Sequence, residues 1–490
     1  MLSHLPILQV IVPLLAAPAC LLLDRARAAW LFACMASFIS VVISGLLVFQ
    51  VHQFGVLSYS LGGWDAPWGI EYRIDLLSAY VLLIVSGIGA LMILAADTAI
   101  RIEIPSERQP LFYVLYLLCL AGLLGIVATG DIFNVFVFLE ISSLATYALI
   151  AQGRDRRALW AAYQYLIVGT IGATFILIGI GFLYSLTGTL NMQDLANRLP
   201  ALESSATAFT AFAFLMVGVC LKLALFPLHL WLPNAYAYAP SIVTAFLAAT
   251  ATKVAVYLLI RFHFSVFGVG FAASVLPLHS IFLVLGLVGV FVASLVAIQQ
   301  PNVKRLFAYS SVAQIGYMII GIGIGTVTGL QATLLHLFNH ALMKGALFLA
   351  LAAIVFRFGS ADIRHFAGLG QRMPWTMAII VIGGLSLIGV PGTVGFISKW
   401  YLILAAFERD WWPLIIAVLL GSLLAVIYIW RLIEVAYFRE GEGESRGEAP
   451  LSLLIPTAIL ALANIYFGID TRLPVYLSDS AAQMLFGGGP

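Results

Sequence analysis

Residues 330–356 read LQATLLHLFNHALMKGALFLALAAIVF. The run exceeds the roughly 20 apolar residues that one helix needs to cross a bilayer. Yet its middle holds His336, His340 and Lys344. Their i, i+4, i+8 spacing places all three on one helix face. At a rise of about 1.5 Å per residue the stripe is about 12 Å long. An apolar helix with an ionisable stripe predicts a membrane span that turns one face toward a polar interior.

Composition agrees. Of 490 residues, 62% are hydrophobic and 9% charged, whereas a soluble domain is nearer half apolar and a quarter charged. So few charges exclude a soluble enzyme, a disordered chain and a nucleic-acid binder, and the net charge of +2 gives no broad basic patch. Cys20, Cys34, Cys119 and Cys220 lie far apart in apolar runs, and read as small packing residues, not a metal knuckle or redox pair.

Apolar runs mark fourteen spans, at 6–23, 28–50, 74–95, 111–128, 131–150, 159–184, 208–226, 241–262, 273–298, 304–325, 330–356, 375–406, 412–437 and 451–467. Alternating strands are absent, so helices are expected. Arg25 and Arg27 follow the first run instead of preceding it, which reads as a span with an outer N-terminus and not as a signal peptide. With that orientation the inner loops hold Arg25, Arg27, Arg101, Arg108, Arg154, Arg156, Arg157, Lys304, Arg305, Arg357, Arg364, Arg372, Arg439 and Arg446. The outer loops hold only Arg73, Arg198, Arg261, Arg409 and Arg472. This asymmetry is the one the positive-inside rule requires, and an even span count puts the C-terminus outside too. Residues 52–73, with Gly62-Gly63, Pro67 and the aromatics Tyr59, Trp64, Trp68 and Tyr72, read as an outer hairpin; residues 440–450 read as a charged, Gly-rich inner linker.

The chain has five lysines. Lys304 falls in a loop, but Lys222, Lys253, Lys344 and Lys399 lie inside apolar spans, as does Glu140. A mid-membrane charge costs about 2.5–3.5 kcal/mol, so four lysines represent roughly 10–14 kcal/mol that something must offset. Static ion pairing fails on arithmetic, since four cations face one central acid. Proton transfer suits them better. Burial favours a neutral amine and a nearby carboxylate favours an ammonium, so moving the Glu140 charge relative to Lys222 would load or release a proton. Histidine, which titrates near neutrality, suits the same relay.

Other motif-like strings carry less. His336-x-x-x-His340 lacks the Glu of HExxH, and haem ligation would need facing histidines, with His229 the only other interior candidate. Gly321-Ile-Gly323-Ile-Gly325 lies in an apolar helix, not after a strand, and Gly392 through Lys399 lacks Walker spacing. No metal, haem or other cofactor is expected, and no catalytic site.

Span seven contains Lys222-Leu-Ala-Leu-Phe-Pro227-Leu-His229-Leu-Trp-Leu-Pro233. Span twelve contains Gly389-Val-Pro391-Gly392-Thr-Val-Gly395-Phe-Ile-Ser-Lys399. Both place a lysine beside helix-breaking residues, which lipid tolerates only next to protein or a wet cavity. Spans four to eight and nine to thirteen would form two five-helix units. An odd number forces opposite orientations, and each unit's fourth member is a broken, lysine-bearing helix, as in inverted-repeat transporters.

These residues resemble the antiporter-like subunits shared by Mrp-type cation/proton antiporters, respiratory complex I and membrane-bound hydrogenases. The strings that carry the resemblance are Gly130 through Ser143, Phe226 through Asn234, Ala239 through Lys253, Lys304 through Ser311, His336 through Lys344, and Gly389 through Lys399. Asp131 through Glu140 is most similar to the D-type component of the Mrp antiporter. The resemblance implies an all-α fold with about fourteen transmembrane helices, two inverted repeats, and broken helices seven and twelve. It implies an N-terminal segment at 1–110, repeats at 111–262 and 273–438, and a final helix with a short tail at 451–490. It implies a Glu140–Lys222 pair, a central Lys253, a polar helix with His336, His340 and Lys344, and a terminal Lys399. Tyr236 departs from relatives that carry histidine there.

The expected function is a proton-translocating subunit of a Na+ or K+/proton antiporter in a prokaryotic inner membrane. Its partners would be other membrane subunits, protons, a monovalent cation and lipid. The alternative is the same module in a redox- or carbon-driven complex, such as an NADH:quinone oxidoreductase-like assembly, a membrane hydrogenase or a bicarbonate-uptake pair.

Overall fold

The apolar runs fold into helices bounded by polar caps. A computed structural model describes residues 2–23, 25–202, 204–275, 277–441 and 447–487. The chain order is α1 (Leu5–Leu21), α2 (Ala26–Phe54), β1 (Leu57–Ser60), β2 (Glu71–Ile74), α3 (Leu76–Glu103), α4 (Gln109–Ala128), α5 (Ile132–Ala151), α6 (Arg157–Thr187) and α7 (Ala206–Lys222). It continues with α8 (Trp231–Tyr238), α9 (Ser241–Ala249), α10 (Ala251–Ile260), α11 (Leu278–Ile298), α12 (Val303–Ile324) and α13 (Val327–Phe358). The last are α14 (Pro374–Ile388), α15 (Val394–Phe407), α16 (Trp412–Phe438), α17 (Leu451–Ile469) and α18 (Arg472–Leu485). Short helices at Met192–Arg198, Gly268–Val275 and Leu369–Arg372 link them.

Among the described residues, twelve helices are long and apolar enough to cross a membrane. The other two of the fourteen expected spans are each split, span seven into α7 and α8 and span twelve into α14 and α15. Helix ends obey capping chemistry. The Asp75 carboxylate accepts from Ser78 N at 2.9 Å to start α3, and Asp131 from Asn134 N at 2.7 Å to start α5. α12 and α13 are buried over nearly their whole length, whereas α6, α11 and α16 leave much of their surface uncovered. Helix pairs close on small residues, as membrane packing favours: a Cβ on Gly316 of α12 would lie 2.6 Å from the Gly286 carbonyl oxygen of α11.

The two halves carry a matching mark at opposite ends. At the end holding the β1–β2 hairpin, Asp131 bridges Asn191, with Ile132 N donating to Leu190 O and Met192 N to Gly130 O. At the other end Asn302 bridges Asp362, with Val303 N donating to Ala361 O and Ile363 N to Pro301 O. Each bridge ties the start of a unit's second helix to the loop after its third. That is the correspondence expected of inverted repeats.

Three readings change, and a fourth lies partly outside the described residues. Lys304 is not in a loop: it is buried in the first turn of α12, and its amine donates to Ala239 O at 3.2 Å. Arg261 is not an outer-loop residue: it is buried in a π-helical turn at Arg261–Val266, ion-paired to Asp75. The tail forms a second helix, α18, which buries Pro474, Leu477 and Ala481 against α13 and α3. Of the inner linker, residues 442–446, with Arg446, lie outside the described residues.

Candidate functional site: a buried line of lysines and histidines

Glu140 projects from the flank of α5, its side chain 28% exposed, and its Oε1 lies 3.8 Å from Lys222 Nζ at the end of α7. The Lys222 amine also donates to Ser143 Oγ at 2.8 Å, one turn beyond Glu140. Beyond Lys222 the chain leaves the helix through Ala224 (φ +60) and restarts at Trp231. A cavity of about 40 Å³ lies between Lys222, Ser143, Tyr165 and Thr252. A water needs roughly 10–15 Å³ of such space, so the cavity can hold one.

Thr252 Oγ1 in turn accepts from Lys253 Nζ at 3.4 Å. Lys253 is wholly buried. It follows an interruption that the sequence did not reveal: span eight breaks at Thr250 (φ −125°, ψ −59°). The break frees a carbonyl at the end of α9, and the Lys253 amine donates to Ala248 O. His340 lies within electrostatic reach of Lys253, Lys344 and His336.

On α13 the stripe forms as expected. The His336 and His340 rings are stacked with centroids 6.0 Å apart. Among the described residues neither His340 nitrogen has a hydrogen-bond partner, nor does His336 Nε2. The Lys344 amine donates to Phe307 O at 2.8 Å and Ser310 Oγ at 2.5 Å. His336 Nδ1 lies 2.8 Å from Ser398 Oγ, the residue before Lys399. Lys399 Nζ donates to Leu387 O (2.9 Å), Ile388 O (2.8 Å) and Ser422 Oγ (2.9 Å). Two of those carbonyls are freed where α14 stops before Gly389 (φ +91).

The seven sequence-derived residues therefore run from the partly exposed Glu140 on α5, through five buried residues, to the buried Lys399 on α15. The sequence missed the site's hydroxyls, Ser143, Thr252, Ser310, Ser398 and Ser422. Helical serine and threonine usually bond their own backbone, so sequence offers no signal for a lateral role. Among the described residues Lys222 alone of the buried lysines has a carboxylate within ion-pair distance.

Residues 129–425 match the family profile described as NADH:quinone oxidoreductase/Mrp antiporter, transmembrane. The chain belongs to that family. It is 41% identical to NADH-quinone oxidoreductase subunit N of Desulforudis audaxviator, over 96% of each chain. It is 31% identical to the D-type component of the Na(+)/H(+) antiporter of Alkalihalophilus pseudofirmus, over 89% of this chain and 87% of that one. A chain of an archaeal membrane-bound sulfane sulfur reductase superposes with TM-score 0.90 at 30% identity, covering 99% of this chain and 98% of that one. Family members thus serve in both antiporters and respiratory complexes.

Proposed function

We propose that this chain is the proton-translocating subunit of a multisubunit Na+ or K+/proton antiporter. The observation that carries the reading is the trio Lys253, Lys344 and Lys399: buried amines held by carbonyls and hydroxyls, with no carboxylate among the described residues to fix their charge. Such groups can exist with or without the proton, whereas a matched ion pair would lock them. Protons pass between Glu140–Lys222, Lys253, the His340–Lys344 stripe, His336 and Lys399. His336 is the stripe's Lys399 end. The proton gradient drives the exchange, each charge crossing 100 mV exchanging about 2.3 kcal/mol.

Several further readings go with it. The repeat units are residues 111–262 and 273–438. The partly exposed Glu140 flank faces another membrane subunit, since a carboxylate left in lipid is costly. The protein sits in a prokaryotic plasma membrane with its hairpin end and both termini outside, as the positive charge of the loops at the other end favours.

In an antiporter-deficient host, Glu140→Ala or Lys222→Ala should abolish cation-dependent proton flux in everted vesicles. Unchanged flux would sink the role of that pair. The 41% identity to an oxidoreductase subunit supports a second reading, the same relay in a redox-driven complex. The subunits that co-purify with the chain distinguish the two.

A further inference from the structure

Apart from His340, each buried base of the site carries one hydroxyl among its partners, and in four cases that hydroxyl comes from another helix. Ser143 of α5 serves Lys222, Ser310 of α12 serves Lys344, Ser422 of α16 serves Lys399, and Ser398 of α15 serves His336. A carbonyl only accepts and so favours a protonated base. A hydroxyl both accepts and donates, so it can satisfy a base in either state.

The His336 pair is the most informative. Ser398 is 1% exposed and His336 3% exposed, so their bond is shielded from bulk solvent. Ser398 Oγ has one proton, and two groups compete for it: His336 Nδ1 at 2.8 Å and Gly395 O at 3.4 Å. A carbonyl oxygen cannot donate. When the hydroxyl donates to Gly395 O, its oxygen must accept from Nδ1–H, and the ring's lone pair then lies on Nε2. That nitrogen is buried and has no partner among the described residues. The charged and titratable groups around the ring are Lys399, Lys253, His340 and Tyr317.

We propose that Ser398 is a positioning residue for His336, holding the ring in the Nδ1–H tautomer so that protons enter and leave at Nε2. The inference rests on the relay reading above. The step makes and breaks one N–H bond at Nε2: uptake gives imidazolium, release restores the neutral ring, and Nδ1–H stays on Ser398 throughout. Orienting one imidazole nitrogen through a bond at the other is how histidine tautomers are generally set.

The test uses the assembled complex. Nitrogen-15 NMR of histidine-labelled wild-type complex, with the His336 signal assigned by its loss in His336→Gln, should show a neutral ring protonated on Nδ1. Ser398→Ala should lower proton flux about tenfold, the scale of one lost hydrogen bond, and move the proton off Nδ1. Ser398→Thr, which keeps the hydroxyl, should retain flux and tautomer. An Nε2-protonated ring in the wild type overturns the proposal, as does full flux in Ser398→Ala. If Ser398→Ala does not assemble, the wild-type spectrum alone decides. Full flux in His336→Gln would instead refute the participation of His336 in the relay.

Discussion

The Lys253 amine donates to the carbonyl oxygen of Ala248 across the interruption at Thr250, so its charge rests on a helix end. A helix C-terminus carries about half a negative charge. Lys399 sits in the same way on Leu387 O and Ile388 O where α14 ends. The interrupted helices thus do more than open space: they create the acceptors that hold a cation in an apolar interior without fixing it there.

Removing the Lys253 amine should stop transport and leave the fold. Replacing a buried charge by an apolar chain of similar volume is often neutral or stabilising. Lys253→Met is therefore expected to assemble at wild-type yield and to lose cation-dependent flux by about a hundredfold or more, the scale of a positioned proton-transfer group. Flux in everted vesicles, normalised to the amount of complex, measures it. Retained flux would remove Lys253 from the relay.

The break in span twelve depends on close backbone approach at one glycine and on conformation at another. A Cβ on Gly395 would lie 1.7 Å from the Ser386 carbonyl oxygen, where neither backbone can yield. Gly392 has φ +86 and open space around it, so alanine there meets only the left-handed penalty of about 1–2 kcal/mol. Gly395→Ala should lower the melting temperature of the complex more than Gly392→Ala, or prevent its assembly. The reverse order in a thermal-shift assay would contradict this packing.

The fourteen spans, the hairpin and the His336–Lys344 stripe were legible because hydrophobic length and 3.6-residue periodicity are local properties. So was the depth of Lys222, Lys253, Lys344 and Lys399. The break at Thr250 was not, because Ala249-Thr250-Ala251 contains no proline or glycine and the kink is stabilised by Lys253 and packing. The burial of Lys304 and Arg261 was missed for a related reason. A cation near a span end reads as solvated until its partners, Ala239 O for one and Asp75 for the other, are brought from distant spans. The amphipathic face of α18 passed as a tail because Arg472, Ser478, Asp479, Ser480 and Gln483 interrupt its apolar residues too often to mark a span.

Asp75 offers a prediction in the acid range. Burial pushes its carboxyl up, but the Arg261 charge and hydrogen bonds from Arg261 and Ser78 outweigh burial and hold it below the ordinary 3.8. A carboxyl held low stabilises the folded state at every pH above its unfolded value and loses that contribution as pH falls toward the folded value. Asp75→Asn should thus destabilise the protein at pH 7, by about 3–5 kcal/mol for a broken buried pair. The gap in melting temperature from wild type should narrow below about pH 4. A gap that is constant between pH 7 and pH 3 would show that the charge of Asp75 is not what stabilises this end.

The same architecture permits a direct test of orientation. The four native cysteines are all buried, so a single introduced thiol can be read against a quiet background. Trp68 of the hairpin segment is 90% exposed, and the Arg364 side chain, beside the Asn302–Asp362 bridge, is 84% exposed. If the hairpin end lies outside, Trp68→Cys should react with a membrane-impermeant maleimide in intact cells. Arg364→Cys should react only after the cells are opened. The two sites lie at opposite ends of the bundle, so each controls for the other's accessibility. Labelling of Arg364→Cys alone in intact cells would reverse the orientation that the arginine distribution supports.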